Sequence, residues 1–226
     1  MCKQRMTYLS FPMSSASPVP PAITPMQITP RYQLSAGYDA NVYRVSFDNH
    51  SNTHVDAPAH VVEGGLRITD WTLDELTYTR PVVIDLPLPD ATVVQPAHLE
   101  PHLDRMREAD ILLLRYGYGP VRRSEPQRYL AKCPGFGVES AKYLLHELPG
   151  LQAVGMDVPS FSCIEYLDQT MQAHNILLAG EGRRFLLIED MDLEGDLSNL
   201  VTVLVLPWLI EGVDSAPCTV LGVHSR

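Results

Sequence analysis

DILLLR, residues 110–115, is a run of four aliphatic side chains between an acid and a base. A run this short, with no polar alternation, reads as a strand buried on both faces, the pattern of a parallel sheet. Elements alternate outward from it. VESAKYLLHEL (138–148) spaces Ala141, Leu144, Leu145 and Leu148 as a helical face and stops at Pro149-Gly150. QAVGM (152–156) is the next strand, IEYLDQTMQAHNILL (164–178) the next helix and RFLLIE (184–189) the next strand. VTVLVL (201–206) and CTVLGV (218–223) close the chain as strands. On the other side, RPVVIDL (80–86) is a short strand followed by helical spacing at Leu99, Leu103 and Met106. YRVSF (43–47) alternates like a half-buried strand. Such alternation predicts an α/β fold, a mixed β-sheet core with packed helices.

The 226 residues carry no internal repeat or later linker, so one domain over 1–226 is expected. Six prolines fall in the first 30 residues, and 1–31 reads as a proline-rich arm that cannot be a helix or a central strand. Its Val19, Ile23, Met26 and Ile28 predict packing on the body or on a neighbouring subunit. With 27 acidic residues against 17 Lys and Arg, the net charge of −10 argues against a nucleic-acid partner. The longest apolar stretch, Leu200 to Ile210, is about half of what a spanning helix needs, so no membrane partner is expected. MCKQRMTYLSF lacks an apolar signal core, and Cys2, Cys133, Cys163 and Cys218 form no CxxC pair. Both features predict a cytoplasmic protein with reduced thiols.

DNHSNTHVDAPAH (48–60) is the segment richest in chemistry. It places His50, His54, Asp56 and His60 within eleven residues, all at even positions. Even positions share one face of an extended chain. On a helix Asp56 would lie far round from His50, and Pro58 would break the turn. An extended or looped backbone is what lets the four groups converge. Neutral imidazole and carboxylate suit Zn²⁺, Mn²⁺ or Fe²⁺, and two His with one carboxylate leave coordination positions open. A structural or loop-hydrogen-bonding role is the alternative these residues leave open.

The segment resembles the signature of the cyclase family of metal-dependent hydrolases (kynurenine formamidase and isatin hydrolase-like), His-x-Gly-Thr-His-x-Asp-x-Pro-x-His. His50, Thr53, His54, Asp56, Pro58 and His60 stand in register, with Asn52 in place of Gly. YLSFPM (8–13), LLLRYGYG (112–119), PGFGVESAKYL (134–144), AVGMDVPS (153–160) and LPWLIEGVDSAPCTVL (206–221) resemble further family segments. The resemblance implies a swivelling β/α/β-like fold and two more ligands, His174 from AHNILL and Glu189 from FLLIED. It implies that His50, His54 and Asp56 hold one divalent metal, and that Asp56, His174 and Glu189 hold or complete a second. Zn²⁺ is favoured over Mn²⁺ or Fe²⁺, with one or two ions per subunit. It further implies a hydrolase of a small-molecule amide, lactam or ester carbonyl, arylformamidase-like, with His60 as proton shuttle. Tyr, Phe or Trp are expected to line the pocket, and a homodimer or homotetramer is implied. A non-catalytic metal or small-molecule binder, a lactone or imide hydrolase, and a loop-pinning structural metal are the alternatives.

Other candidates read as structural. His98 and His102, spaced i, i+4, suit a solvated helix face. His146 is expected partly exposed, His224 inert near the terminus, and Cys163 a buried or pocket-lining thiol. Asp157 is expected to organise a strand end. Ser162 stands where family members often carry Asp, which predicts a different local contact.

Overall fold

The computed structural model describes residues 5–225. Its strands are β1 (Arg5–Tyr8), β2 (Gln27–Tyr32), β3 (Val42–Ser46), β4 (His54–Asp56), β5 (Thr77–Tyr78), β6 (Pro81–Asp85) and β7 (Val93–Val94). They continue with β8 (Ile111–Arg115), β9 (Gly135–Phe136), β10 (Ala153–Met156), β11 (Leu186–Glu189), β12 (Leu200–Pro207) and β13 (Ser215–His224). The helices are α1 (Pro96–Leu99), α2 (Leu103–Met106), α3 (Gly119–Ser124), α4 (Pro126–Lys132), α5 (Val138–Glu147) and α6 (Leu167–Ala179). Among the described residues no helix is long and apolar enough to cross a membrane.

Nine strands form one mixed sheet, as the α/β pattern predicts. β6, β8, β10 and β11 are parallel neighbours. From β11 the order continues antiparallel through β4, β13, β12 and β5, and β1 pairs with the far end of β13. The run 110–115 is apolar throughout because both of its faces are covered. Leu112 and Leu114 join one core with α5 and α6 side chains such as Leu144, Ala173 and Leu177. Ile111 and Leu113 join a second core with Val55, Ile188, Val203 and Val220. Each fully buried aliphatic side chain of this kind contributes roughly 1.5–3 kcal/mol.

Two expectations are corrected. The helical spacing at Leu99–Met106 does not give one helix, because Pro101 has no N–H for the ladder. α1 and α2 are separated by a 3₁₀ turn at Glu100–His102. YRVSF forms β3, but not half-buried: β3 pairs only with β2, and both strands are exposed along their whole length.

β10 is pinned from above by Met191. A Cβ at Gly155 would run into the Met191 Sδ and sit 3.0 Å from Leu113 Cδ2. Gly155→Ala should therefore lower stability by about 1–3 kcal/mol, read as a shift of the urea midpoint at unchanged slope.

Candidate metal centre

β4 is three residues long and lies between two antiparallel neighbours. Its alternation turns His54 and Asp56 to one face. The register puts Glu189 of β11 opposite His54 and Ser215 of β13 opposite Asp56. α6 packs over this face and buries His174. His50 precedes the strand in a turn closed by Ser51 N–H donating to Asp48 O. His60 follows it in the 3₁₀ turn Pro58–His60. Shared parity thus holds for His54 and Asp56 alone. His50 and His60 arrive through flanking turns, because the strand is too short to carry all four.

The five expected ligands converge. His50 Nδ1 lies 3.1 Å and His54 Nε2 3.5 Å from Asp56 Oδ1, and His174 Nε2 lies 3.4 Å from Asp56 Oδ2. His54 Nε2 is 3.3 Å from Glu189 Oε2, and His174 Nε2 is 4.0 Å from Glu189 Oε1. His50, His54 and Asp56 form one group able to hold an ion, and Asp56, His60 and His174 another. His54 Nδ1–H donates to the Asn52 carbonyl at 2.8 Å, which fixes the tautomer and aims Nε2 at the carboxylates. His54 Nε2 and Asp56 Oδ1 are buried without a hydrogen-bond partner. Such orphaned polar atoms are costly unless something binds them. Among the described residues, the free cysteines Cys133, Cys163 and Cys218 are buried and belong to none of these groups, so the donors gathered here are nitrogen and oxygen.

The electrostatics point the same way. Burial works against protonating His54, but the Asp56 and Glu189 carboxylates outweigh it and raise its pKa to about 9. His50 and His174 are likewise raised against burial by Asp56. Burial opposes ionising Asp56 too, yet the surrounding imidazoles hold its carboxyl well below the usual range.

Two residues not singled out from the sequence shape the centre. Asp214, just before β13, accepts the His60 Nδ1–H at 2.6 Å and lies 3.3 Å from His50 Nε2. Asn49 Nδ2 holds its other oxygen at 2.9 Å. Only the β13–β4 pairing brings Asp214 here, so no local signal marks it. Arg122 of α3 is the second. Its guanidinium donates to both Asp190 oxygens at 2.6 and 2.7 Å and to Asn52 Oδ1 at 2.7 Å. Asn52 and Asp190, each beside the ligand-bearing segments, have φ of 61° and 53°. Asn tolerates this left-handed region, which explains how it replaces a glycine in the turn. Its Nδ2 also donates to Phe11 O at 2.8 Å.

The centre floors a cavity of about 500 Å³, a size suited to a small molecule. Pro20, Pro21 and Ile23 of the arm wall one part, and Leu130, Leu167 and Met171 another. The expected Tyr, Phe or Trp lining is absent among the described residues: the walls are proline and aliphatic. Ser162 lines the pocket, while Cys163 is buried behind it. Asp157 accepts the N–H groups of Tyr116, Gly117 and Tyr118 and so organises a strand end. His98 and His146 make only local contacts, to Gln95 and Glu147. His224 is not inert: it is buried, and its Nε2 lies 2.9 Å from Thr7 Oγ1, tying β13 to β1.

A family model described as "Putative cyclase" matches residues 7–162. The chain belongs to the cyclase family. Among solved structures, isatin hydrolase A from Labrenzia aggregata, bound to benzyl benzoate, is 18% identical with a TM-score of 0.80 over 98% of this chain and 94% of its own. Isatin hydrolase A from Ralstonia solanacearum is 17% identical, TM-score 0.82, over 98% and 92%. A protein described as a predicted metal-dependent hydrolase from Bacillus stearothermophilus is 22% identical, TM-score 0.72, over 99% and 100%. These likenesses show that the fold is shared over nearly the whole chain.

Two outcomes follow from the centre. A raised His54 pKa stabilises the metal-free fold below the ordinary imidazole value and is lost as pH rises through about 9. An ion needs the neutral ring, so Zn²⁺ uptake at pH 7 should release about one proton or more, and affinity should rise with pH. Calorimetry in phosphate and in Tris, whose ionisation enthalpies differ, counts the protons. Arg122→Met should cost about 3–5 kcal/mol in urea unfolding, because it strands the Asp190 carboxylate in the interior.

Proposed function

We propose that this chain is a divalent-metal-dependent hydrolase that opens the C–N bond of a small aryl amide or lactam, arylformamidase-like in specificity. The reading rests chiefly on one observation: a His60–Asp214 pair stands beside buried nitrogen and oxygen donors at the floor of an apolar cavity. In it, His50, His54 and Asp56 hold one ion, and Asp56, His174 and Glu189 hold or complete a second. Zn²⁺ is the favoured ion. When bound, the metal polarises the carbonyl and makes water nucleophilic near neutral pH.

The chain's own groups do the rest. Asp214 can only accept, so its bond to Nδ1 leaves His60 Nε2 as the basic atom. That nitrogen takes a proton from the attacking water and returns it to the departing nitrogen as the C–N bond breaks. Water is consumed, and a carboxylic acid and an amine are the products. Pro20, Pro21, Leu130, Leu167 and Met171 offer an apolar substrate body a wall beside this chemistry. The aliphatic lining favours shape over ring stacking as the basis of selection. The isatin hydrolases that share the fold make isatin, itself a lactam, the natural second substrate to test after N-formylkynurenine.

His60→Ala should reduce kcat/KM by about 10²–10⁴ while the bound metal is retained. Asp214→Asn should act in the same direction by releasing the tautomer, with KM little changed. Steady-state assays on N-formylkynurenine, formanilide, isatin and a lactone panel, paired with metal analysis, read both. No turnover of any of these by metal-loaded protein, or loss of metal from the His60 variant, would overturn the assignment.

A further inference from the structure

We infer that His60 and Asp214 form a separate ion site at the rim of the centre, which takes a divalent ion present in excess and switches off the base. Asn49 Nδ2 holds Asp214 Oδ1 at 2.9 Å, which leaves Oδ2 to the imidazoles. His60 Nδ1 lies 2.6 Å and His50 Nε2 3.3 Å from that oxygen. The His50 and His60 rings are 4.3 Å apart. One ligand atom from each of His50, His60 and Asp214 lies within 4.8 Å of the other two, close enough to share an ion. Imidazole nitrogen and carboxylate oxygen are the donors Zn²⁺ takes.

The rim differs from the buried centre in access and in strength. The His60 and Asp214 side chains are 29% and 30% exposed, against 3% and 1% for His54 and Asp56. His50 stands between the two places, with Nδ1 3.1 Å from Asp56 Oδ1 and Nε2 toward Asp214. While Nδ1 serves the centre, Nε2 keeps its proton, and Ser215 Oγ at 3.0 Å accepts it. His60 Nδ1 and Asp214 Oδ2 are then the anchoring ligands and water completes the shell, so the rim holds its ion more weakly than the centre does.

Binding there has a consequence for His60, which rests on the hydrolase reading above. With no ion at the rim, Asp214 keeps the imidazole proton on Nδ1 and leaves Nε2 basic. An ion on Nδ1 needs the lone pair of that nitrogen, so the neutral ring carries its proton on Nε2 instead. The ring gains and loses no proton overall. Nε2–H cannot accept from the attacking water, and the base is lost while the centre keeps its own ions. Metal sufficient to fill the centre activates, and metal beyond that inhibits.

Equilibrium dialysis of the metal-loaded full chain against rising Zn²⁺, read by elemental analysis, tests the site. The parent should take up one ion per chain beyond those of the centre. Asp214→Ala and His60→Ala should each keep the centre's ions and lose the additional one. Long-range nitrogen–proton NMR of the parent needs no variant: excess Zn²⁺ should move the His60 proton from Nδ1 to Nε2. With any substrate that turns over, excess Zn²⁺ should lower kcat/KM by about 10²–10⁴, reversed by a weak chelator, and leave the residual rate of His60→Ala unchanged. Additional uptake by the parent and its loss in both variants support the site whether or not a substrate is found, so failure of the hydrolase reading shows separately, as absent turnover. A parent that takes no ion beyond the centre's, or a His60 tautomer unmoved by excess Zn²⁺, would overturn the inference. So would additional uptake that persists in Asp214→Ala, which would assign the ion to Asp56, His60 and His174.

Discussion

Two carboxylates, Asp56 and Glu189, lie on adjacent strands with almost no access to water. Taking one such charge out of water costs several kcal/mol unless a cation meets it. Everything around them answers that demand. Three imidazoles converge on the pair, and Phe161 N–H donates to Glu189 Oε1 at 2.7 Å. Even so, Asp56 Oδ1 and His54 Nε2 keep unused hydrogen-bonding capacity. Protonated imidazoles are one way to neutralise the cluster, and a divalent ion is a better one, because it satisfies both orphaned atoms at once.

The remainder of the fold keeps that cluster from relaxing. β4 is too short to hold its own place, so β11 and β13 fix it from both sides. The segments beside it turn through left-handed residues, Asn52 and Asp190, and Arg122 bonds to both. Tyr129 donates to the same Asp190 carboxylate, and Thr53 Oγ1 to its carbonyl at 2.5 Å. A buried ion pair of this kind adds little net stability by itself. Its part is to link two ligand-bearing segments, so that neither shifts without breaking charged hydrogen bonds.

Much of this was legible in the chain. DILLLR identified a doubly covered strand, because so short a run of unbroken apolar side chains is stable only with both faces out of water. His54 and Asp56 were legible from parity, and the family pattern supplied His174 and Glu189. Parity failed for His50 and His60, since turns, not the strand, deliver them. Asp214 and Arg122 gave no local signal: each reaches the centre across more than 65 residues of intervening sequence. β3 misled because its alternation is genuine, but its apolar side faces outward. Period-two patterning records that a strand has an apolar face and is silent on whether the rest of the chain covers it.

The direct test of the central claim is the metal content of protein purified without chelator or added metal salts. Elemental analysis should find one or two divalent ions per chain in the parent and a stoichiometric loss in Asp56→Asn, whose side chain keeps its shape but not its charge. A parent without stoichiometric metal, or an Asp56→Asn variant that retains all of it, would contradict the account.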